Sequence, residues 1–220
     1  MIGDGDLVVF DWDGTIADST ALIVRAIRLA AADLDLAVPS AECASQVIGL
    51  GLHDALGRVV PDLTSERIGE FAARYRDHYQ STEAQVAVFA GMHDLLDALR
   101  GRGARLAIAT GKTRAGLARA LAAAGLADRF AAIRCADQTR PKPHPAMLLE
   151  LMGELATPKA RTLMIGDTTH DLEMAAAAGV AAVAVAYGAH PRADLERAAP
   201  GRVFERVADL HRWLMHDERL

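Results

Sequence analysis

The 220-residue sequence predicts an α/β fold, with a parallel sheet covered by helices on both faces and an all-helical insertion. Short apolar stretches of strand type alternate with helical patterns along most of the chain, as they do in parallel sheets. Residues 16–86 interrupt this alternation, because they carry helical patterns and no convincing strand. The predicted insertion therefore follows the first strand.

Five predicted strands are short apolar runs, as expected of strands that are buried on both faces. Predicted helices lie between them, and a glycine follows two of these helices where a helix stop is expected. The strands cover residues 7–10, 106–109, 131–135, 163–165 and 182–186. The helices cover residues 92–101, 113–124 and 170–178.

The insertion shows apolar residues at helical spacing, most clearly in its first helical pattern. We therefore expect an all-helical cap at residues 16–86, inserted into a core that residues 1–15 and 87–220 form together. The four helices predicted in the cap cover residues 19–34, 41–48, 52–59 and 65–79.

The composition argues against several classes of protein. Lys and Arg number 24 and Asp and Glu number 29, and a net charge of −5 argues against a broad nucleic-acid surface. No apolar run reaches the ~18 residues of a membrane helix, and the first residues lack signal-peptide features. We expect a cytoplasmic protein without nucleic-acid or membrane partners, in which Cys43 and Cys135 are reduced, buried thiols.

Asp11 and Asp13 follow the first predicted strand directly, and Gly14 permits a tight turn after them. Ligands of open parallel sheets bind at the carboxyl ends of the strands. Carboxylate and backbone oxygens suit Mg²⁺, and Asp11 can attack phosphorus to form an aspartyl-phosphate. Asp13 can serve as the acid and the base of such a reaction. The alternative is an acidic turn that merely ends a strand.

Two further features follow strands of the predicted sheet. The hydroxyl of Thr110 and the backbone N–H of Gly111 can bind a phosphoryl oxygen near a helix start, although a helix cap is the alternative. Lys142 lies among three prolines that fix the backbone, where it can neutralise a nucleophile and phosphoryl oxygens. The alternative there is a rigid surface turn with a solvated lysine. We expect Arg140 and His144 to be peripheral.

A last pair of carboxylates lies at the end of the strand at 163–165. Asp167 is at the strand end, and Asp171 is one helical turn further on, so both can face the same point. With Asp11 and Asp13 they make an acidic metal site; the alternative is that they favour a helix N-terminus. We expect His170 to be an exposed capping residue rather than a ligand.

The order and placement of these motifs resemble the haloacid dehalogenase superfamily of phosphohydrolases. Residues 10–15 match its first motif, Thr110 the second, Lys142 the third, and Asp167 with Asp171 the fourth. The place of the insertion resembles the phosphoglycolate phosphatase-like subfamily. The resemblance implies a Rossmann-like parallel-sheet core with an inserted all-helical cap domain.

The resemblance also implies a magnesium-dependent phosphatase that acts on a small phosphorylated metabolite, such as a phosphoglycolate-like phosphate monoester. Asp11 is the implied nucleophile and Asp13 the acid and base, with Lys142 as a third catalytic residue. Asp13 is implied to bind Mg²⁺ through its backbone carbonyl, and Asp171 to complete the outer shell or orient Lys142. The implied magnesium ligands are Asp11, Asp13, Asp167 and Asp171. The implied phosphate-binding residues are Thr110, Gly111 and Lys142.

Two other functions are compatible with parts of this pattern. A phosphoglucomutase-like phosphotransferase on the same scaffold would return the phosphoryl group to a sugar, but such relatives often lack a threonine at the position of Thr15. A phospho-accepting signalling domain is shorter and has no helical insertion. The substrate and the oligomeric state cannot be read from the sequence, although an apolar loop at 48–53 is expected to face the site.

Overall fold

A six-stranded parallel sheet forms the centre of the computed structural model, which describes residues 2–198 and 201–216, without the side chains of residues 52–54. The order of strands in the sheet is β5-β4-β1-β6-β7-β8, and β2 pairs with β3 in a separate antiparallel ribbon. The strands are β1 (Leu7–Phe10), β2 (Ala17–Asp18), β3 (Ala87–Val88), β4 (Arg105–Thr110), β5 (Ala132–Cys135), β6 (Thr162–Gly166), β7 (Ala181–Val185) and β8 (Val203–Phe204).

The strand order places β1 between β4 and β6, where the direction of the chain across the sheet reverses. Such a switch point opens a crevice at the carboxyl ends of the strands. The α-helices that join and flank the strands are α1 (Thr20–Asp33), α2 (Ala41–Ser45), α3 (Leu52–Val59), α4 (Ile68–Gln80), α5 (Met92–Gly101), α6 (Arg114–Ala123), α7 (Ala146–Glu154), α8 (Thr169–Ala178), α9 (Arg192–Ala198) and α10 (Val207–His216).

Helices cover both faces of the sheet, which explains why its strands are continuously apolar. Val8 and Phe10 of β1 point to the face that packs on α5, α6 and α10, whereas Leu7 and Val9 point to the face that packs on α7 and α8. Side chains alternate between the two faces of a strand, so all four residues of β1 are buried. The prediction of an α/β fold with a Rossmann-like parallel sheet is confirmed.

Residues 20–80, called the helical segment below, have an apolar cluster of their own. Helices α1 and α4 pack together, and the cluster contains residues of α1, α2, α3 and α4. The chain enters this segment through β2 and leaves it towards β3, and Ala17 pairs with Val88 across the ribbon. The expectation of no strand within residues 16–86 was therefore wrong at β2, because a two-residue strand is too short to produce a periodic pattern.

Other differences from the sequence predictions are local. Strand β8 was missed, and α2 ends at Ser45, before the predicted limit of 48. Cys135 is buried but Cys43 is exposed, which corrects the prediction of two buried thiols; both are free. Among the described residues, no helix is both long and apolar enough to cross a membrane.

Neighbouring leucines of α7 offer a matched test of the packing of this helix. Leu148 is fully buried against the sheet and Leu149 is 51% exposed. We expect Leu148→Ala to lower the free energy of unfolding by ~2–5 kcal/mol, since it leaves a cavity. Leu149→Ala is expected to change it by less than ~0.5 kcal/mol. Urea titrations followed by circular dichroism check this, and equal losses would contradict the assigned face of α7.

Candidate active site

The predicted site residues lie at the carboxyl ends of the central strands. Asp11 follows β1 directly, and its backbone N–H donates to the carbonyl of Ile165 in β6 at 2.9 Å. Thr110 is the last residue of β4, and Asp167 follows the last residue of β6. All three are buried, so the crevice at the switch point contains the polar groups that the sequence places there.

A group of three buried carboxylates lies in this crevice. Asp11, Asp167 and Asp171 each offer an oxygen, and these oxygens lie within 4.8 Å of one another. Asp11 is 1% exposed and the other two are fully buried. The carboxylate of Asp13, which was also predicted from the sequence to belong to the metal site, is not part of this group.

The ammonium of Lys142 lies between two of the three carboxylates. Its Nζ is 2.8 Å from Oδ1 of Asp11 and 2.6 Å from Oδ1 of Asp171, and its side chain is fully buried. Burial acts to lower the pKa of Lys142, but the two aspartates outweigh this effect and the pKa rises. Lys142 is therefore charged, and the alternative of a solvated surface lysine is wrong.

Local structure fixes the orientation of Asp167 and Asp171. Oδ2 of Asp171 accepts from the backbone N–H of Thr168 at 3.1 Å and from its hydroxyl at 2.8 Å, at the start of α8. This contact leaves Oδ1 for Lys142. Asp167 accepts from the hydroxyl of Thr15 at 2.8 Å and from the N–H of Ala189 at 2.7 Å.

The electrostatics of this group favour a bound cation. Burial raises the pKa of Asp11 to about 7, with Lys142 opposing the rise and Asp171 adding to it. Burial and the neighbouring carboxylates of Asp11 and Asp171 also raise the pKa of Asp167 well above its ordinary value. Among the described residues, Oδ2 of Asp11 has no hydrogen-bond partner. Three carboxylates lie close to one ammonium, so a divalent cation would offset the excess negative charge.

Glycines make room for the carboxylates. Gly14 has a φ of +80°, and a Cβ there would overlap the carboxylate of Asp167. A Cβ at Gly188 would overlap the same carboxylate, and one at Gly166 would overlap Asp171. The motif glycines are therefore required by close packing at the site as well as by the turns.

Asp13 turns away from the acidic group and pairs with Lys112. Its Oδ1 lies 3.0 Å from Nζ of Lys112 and accepts from the hydroxyl of Ser19 at 2.6 Å. Nζ of Lys112 also donates to the hydroxyl of Tyr79 in α4 at 3.1 Å. No role was predicted from the sequence for Lys112, Ser19 or Tyr79. The position of Lys112, two residues after Thr110, was the available signal.

Thr110 and Gly111 lie where the helical segment contacts the loop after β4. The hydroxyl of Thr110 accepts from the backbone N–H of Lys112 at 3.2 Å, so it caps the turn. A Cβ at Gly111 would overlap the backbone carbonyls of Gly49 and Leu50. Part of the apolar loop at 48–53 therefore does lie over the site, as expected.

A backbone carbonyl of the helical segment is bound by two histidines of the core. Nε2 of His170 and Nε2 of His190 lie 2.9 Å and 3.2 Å from the carbonyl oxygen of Gln46. The hydroxyl of Ser45 donates to the carbonyl of Ala189 at 2.6 Å. His170 is only 6% exposed, so the prediction of an exposed capping residue was wrong. Burial lowers the pKa of both histidines, which favours their neutral forms.

A cavity of about 140 Å³ lies between the helical segment and the core loops. Asp13, Lys112 and Gly111 line its core side, and Tyr75 and Tyr79 belong to its other side. Its remaining apolar lining comes from Ile23, Ile27, Val47, Ile48, Leu50 and Ala55. The cavity is therefore next to Asp13 and small, with a mostly apolar wall.

Comparison with known proteins agrees with this architecture. The family model for haloacid dehalogenase-like hydrolases matches residues 8–185. The chain is 36% identical to "Probable phosphatase IndB" of Dickeya dadantii over 93% of this chain and 91% of that protein. It is 31% identical to the phosphoglycolate phosphatase of Yersinia pseudotuberculosis over 92% of this chain and 90% of that protein.

Two other similar proteins are matched over different shares of their own length. The chain is 33% identical to "Tyrosine-protein kinase PtkA" of Mycobacterium tuberculosis over 86% of this chain, but it spans only 64% of that protein. A crystal structure of a hydrolase from Pseudomonas syringae superposes with a TM-score of 0.87 at 25% identity, covering 96% of this chain and 98% of that one. The chain belongs to the haloacid dehalogenase-like hydrolase family.

Gly166 offers a test of the close packing around Asp171. Gly166→Ala would force the Asp171 carboxylate away from Lys142, and we expect it to lower the free energy of unfolding by ~1–3 kcal/mol. Gly153→Ala in α7 is the control, because nothing lies within 4 Å of its added Cβ. It should raise the free energy of unfolding by up to ~1 kcal/mol. Denaturant titration measures both, and a stabilised Gly166→Ala variant would contradict the assigned packing.

Proposed function

We propose that the chain hydrolyses a small phosphate monoester with the help of Mg²⁺, through an aspartyl-phosphate at Asp11. The family match and the phosphatases among its relatives identify the chain as a phosphatase. The nucleophile, the metal ion and the substrate are the parts we propose. Their support comes from the arrangement of the buried charges.

The observation that carries the proposal is the environment of Asp11. It lies at the end of β1, next to the charged ammonium of Lys142, and its Oδ2 has no hydrogen-bond partner among the described residues. A nucleophilic carboxylate needs one unblocked oxygen and a neighbouring positive charge that offsets the charge of the phosphoryl group. Asp11 meets both conditions.

Each of these residues has its own role in the proposed reaction. Oδ2 of Asp11 attacks phosphorus, and the bond from phosphorus to the leaving oxygen breaks. Asp13 gives its proton to that oxygen and then takes a proton from the water that attacks the aspartyl-phosphate. The phosphorus–oxygen bond to Asp11 breaks, and phosphate leaves. Lys142 and the turn at Thr110 and Gly111 hold the phosphoryl oxygens.

Asp11 and Asp167, with the backbone carbonyl of Asp13, are the groups we expect to hold Mg²⁺. When bound, the ion would neutralise the crowded carboxylates and draw negative charge from the phosphoryl oxygens. Asp171 already pairs with Lys142, which favours the role of orienting that lysine over direct ligation. The carboxylate of Asp13 is held by Lys112 and Ser19, so it remains available for proton transfer.

The substrate is proposed to be a small phosphorylated metabolite of the phosphoglycolate type. The cavity beside Asp13, about 140 Å³, has room for a leaving group of this size. Relatives named phosphoglycolate phosphatase support the same size class. A panel of phosphorylated metabolites, assayed by phosphate release, ranks the candidates.

Transfer of the phosphoryl group to an acceptor other than water is the alternative. The similarity to a relative named as a tyrosine-protein kinase is the reason to test this alternative. The two functions differ in the fate of phosphate, because hydrolysis releases one free phosphate for each alcohol released. Transfer releases alcohol without free phosphate when an acceptor is present.

We also propose that residues 16–86 act as a cap domain over a catalytic core formed by residues 1–15 and 87–220. The separate apolar cluster of the helical segment supports this division. The two connections between the helical segment and the rest of the chain pair with each other as β2 and β3, beside the turn that carries Asp11 and Asp13. A cap that opens and closes there would exclude water during phosphoryl transfer and admit it afterwards.

Removal of the metal ion tests the proposed cofactor. We expect hydrolysis of p-nitrophenyl phosphate in the presence of Mg²⁺ and its loss in excess chelator, because the buried carboxylates then repel the phosphoryl group. Added Mg²⁺ should restore the rate. Full activity in excess chelator would contradict the metal assignment.

Substitution of the two motif aspartates tests the proposed roles. Asp11→Asn should abolish turnover, since an amide is a poor nucleophile. Asp13→Asn should still form phosphoenzyme from p-nitrophenyl phosphate, whose leaving group needs little protonation, but should block its hydrolysis. Steady-state rates and acid-trapped phosphoenzyme measure the two effects.

Asp128→Asn is the matched control, because Asp128 is exposed and precedes β5 at the opposite end of the sheet. Its rate should equal that of the wild type. If Asp11→Asn keeps more than about a tenth of the wild-type rate, a loss of under ~1.4 kcal/mol in transition-state stabilisation, Asp11 is not the nucleophile.

A further inference from the structure

The carboxylate of Asp13 is held through only one of its oxygens. Oδ1 receives both the hydroxyl of Ser19 and the ammonium of Lys112, at 2.6 Å and 3.0 Å. In the part of the chain that the structure describes, Oδ2 of Asp13 has no hydrogen-bond partner, and this oxygen is not fully buried. Asp13 also lines the cavity. This arrangement fixes the carboxyl group while it leaves one oxygen available for proton transfer.

Lys112 connects this carboxylate to the helical segment. Its side chain is 10% exposed, and its Nζ lies 3.1 Å from the hydroxyl of Tyr79 and 4.5 Å from the centre of the same ring. Tyr79 belongs to α4 and is buried. Asp13 and Tyr79 therefore share one ammonium, although they belong to the core turn and to the helical segment.

We propose that Lys112 is a positioning residue for Asp13, and that through Tyr79 it makes the orientation of Asp13 depend on the position of α4. The proposal rests on the proposed function, in which Asp13 transfers the protons. Lys112 itself exchanges no proton in either step. It holds Oδ1, so that Oδ2 gives a proton to the leaving oxygen and later accepts one from water.

The experiment compares Lys112→Met with Lys159→Met, the same change at an exposed lysine that precedes β6 at the far end of the sheet. Rates are measured with p-nitrophenyl phosphate and with a simple alkyl phosphate, together with acid-trapped phosphoenzyme. We expect Lys112→Met to lower kcat by ~10-fold to 100-fold, part of what a positioned acid and base contributes. KM should stay close to the wild-type value.

Two further results distinguish positioning from a structural role. The loss should be greater for the alkyl phosphate, whose poor leaving group needs the proton. With p-nitrophenyl phosphate, phosphoenzyme should accumulate, because its hydrolysis needs Asp13 as the base. Lys159→Met should match the wild type in all these measurements.

Thermal unfolding shows whether Lys112→Met folds. If it does not, two conservative variants still test the proposal. Lys112→Arg keeps a cation beside Asp13 and should recover much of the lost kcat. Tyr79→Phe keeps the ring and the ion pair, removes only the hydroxyl, and should lower kcat by less than Lys112→Met does. An unchanged kcat in Tyr79→Phe overturns the link to α4.

The proposal is overturned if Lys112→Met raises KM and leaves kcat unchanged, since Lys112 would then bind substrate. It is also overturned if the losses for the two substrates are equal and no phosphoenzyme accumulates. These failures differ from a failure of the proposed function, in which the wild-type protein itself would release no phosphate from either ester.

Discussion

Gathering three carboxylates into a buried crevice is the constraint on which the rest of this site depends. Asp11, Asp167 and Asp171 repel one another where water cannot screen them, and only Lys142 offsets their charge within the group. Removing one partner of a buried ion pair typically costs ~3–5 kcal/mol, because a charge is left uncompensated. The position of Lys142 is therefore as restricted as the positions of the aspartates.

This constraint explains the glycines and threonines around the site, which take no part in the reaction themselves. Gly14, Gly166 and Gly188 lack the Cβ that would displace a carboxylate. The hydroxyls of Thr15 and Thr168 hold oxygens of Asp167 and Asp171, so that these side chains do not swing apart. The capping contact at the start of α8 thus serves two purposes, since it caps the N-terminus of the helix and orients Asp171 towards Lys142.

Much of the fold and of the acidic group could be predicted because both follow from local patterns. Each strand of the sheet that was predicted is a short apolar run, and the carboxyl ends of neighbouring parallel strands meet at one edge of a sheet. That rule is enough to bring Asp11 and Asp167 together. Strand β8 escaped prediction because an apolar run of two residues is too short to indicate a strand.

The contacts between the helical segment and the core could not be predicted, for a different physical reason. The two histidines bind the backbone carbonyl of Gln46, and Gly111 packs against backbone carbonyls of Gly49 and Leu50. A backbone carbonyl is present at every residue, so no residue type in the segment marks these contacts. His170 looked like an exposed cap for the same reason, since its partner is 124 positions away in the chain.

These contacts also connect the segment to the chemistry of the site. Gly111 follows β4, His170 lies beside Asp171 in α8, and Lys112 joins Tyr79 to Asp13, so each contact falls on a loop or a helix start that also carries a site residue. A shift of α4 or of residues 46–50 would therefore disturb at least one of these elements. The two aspartates of the first motif divide accordingly: Asp11 is fixed by the core through Lys142, whereas Asp13 is fixed by a lysine that the segment shares. Because only Trp12 separates them, one turn serves both sides of the crevice.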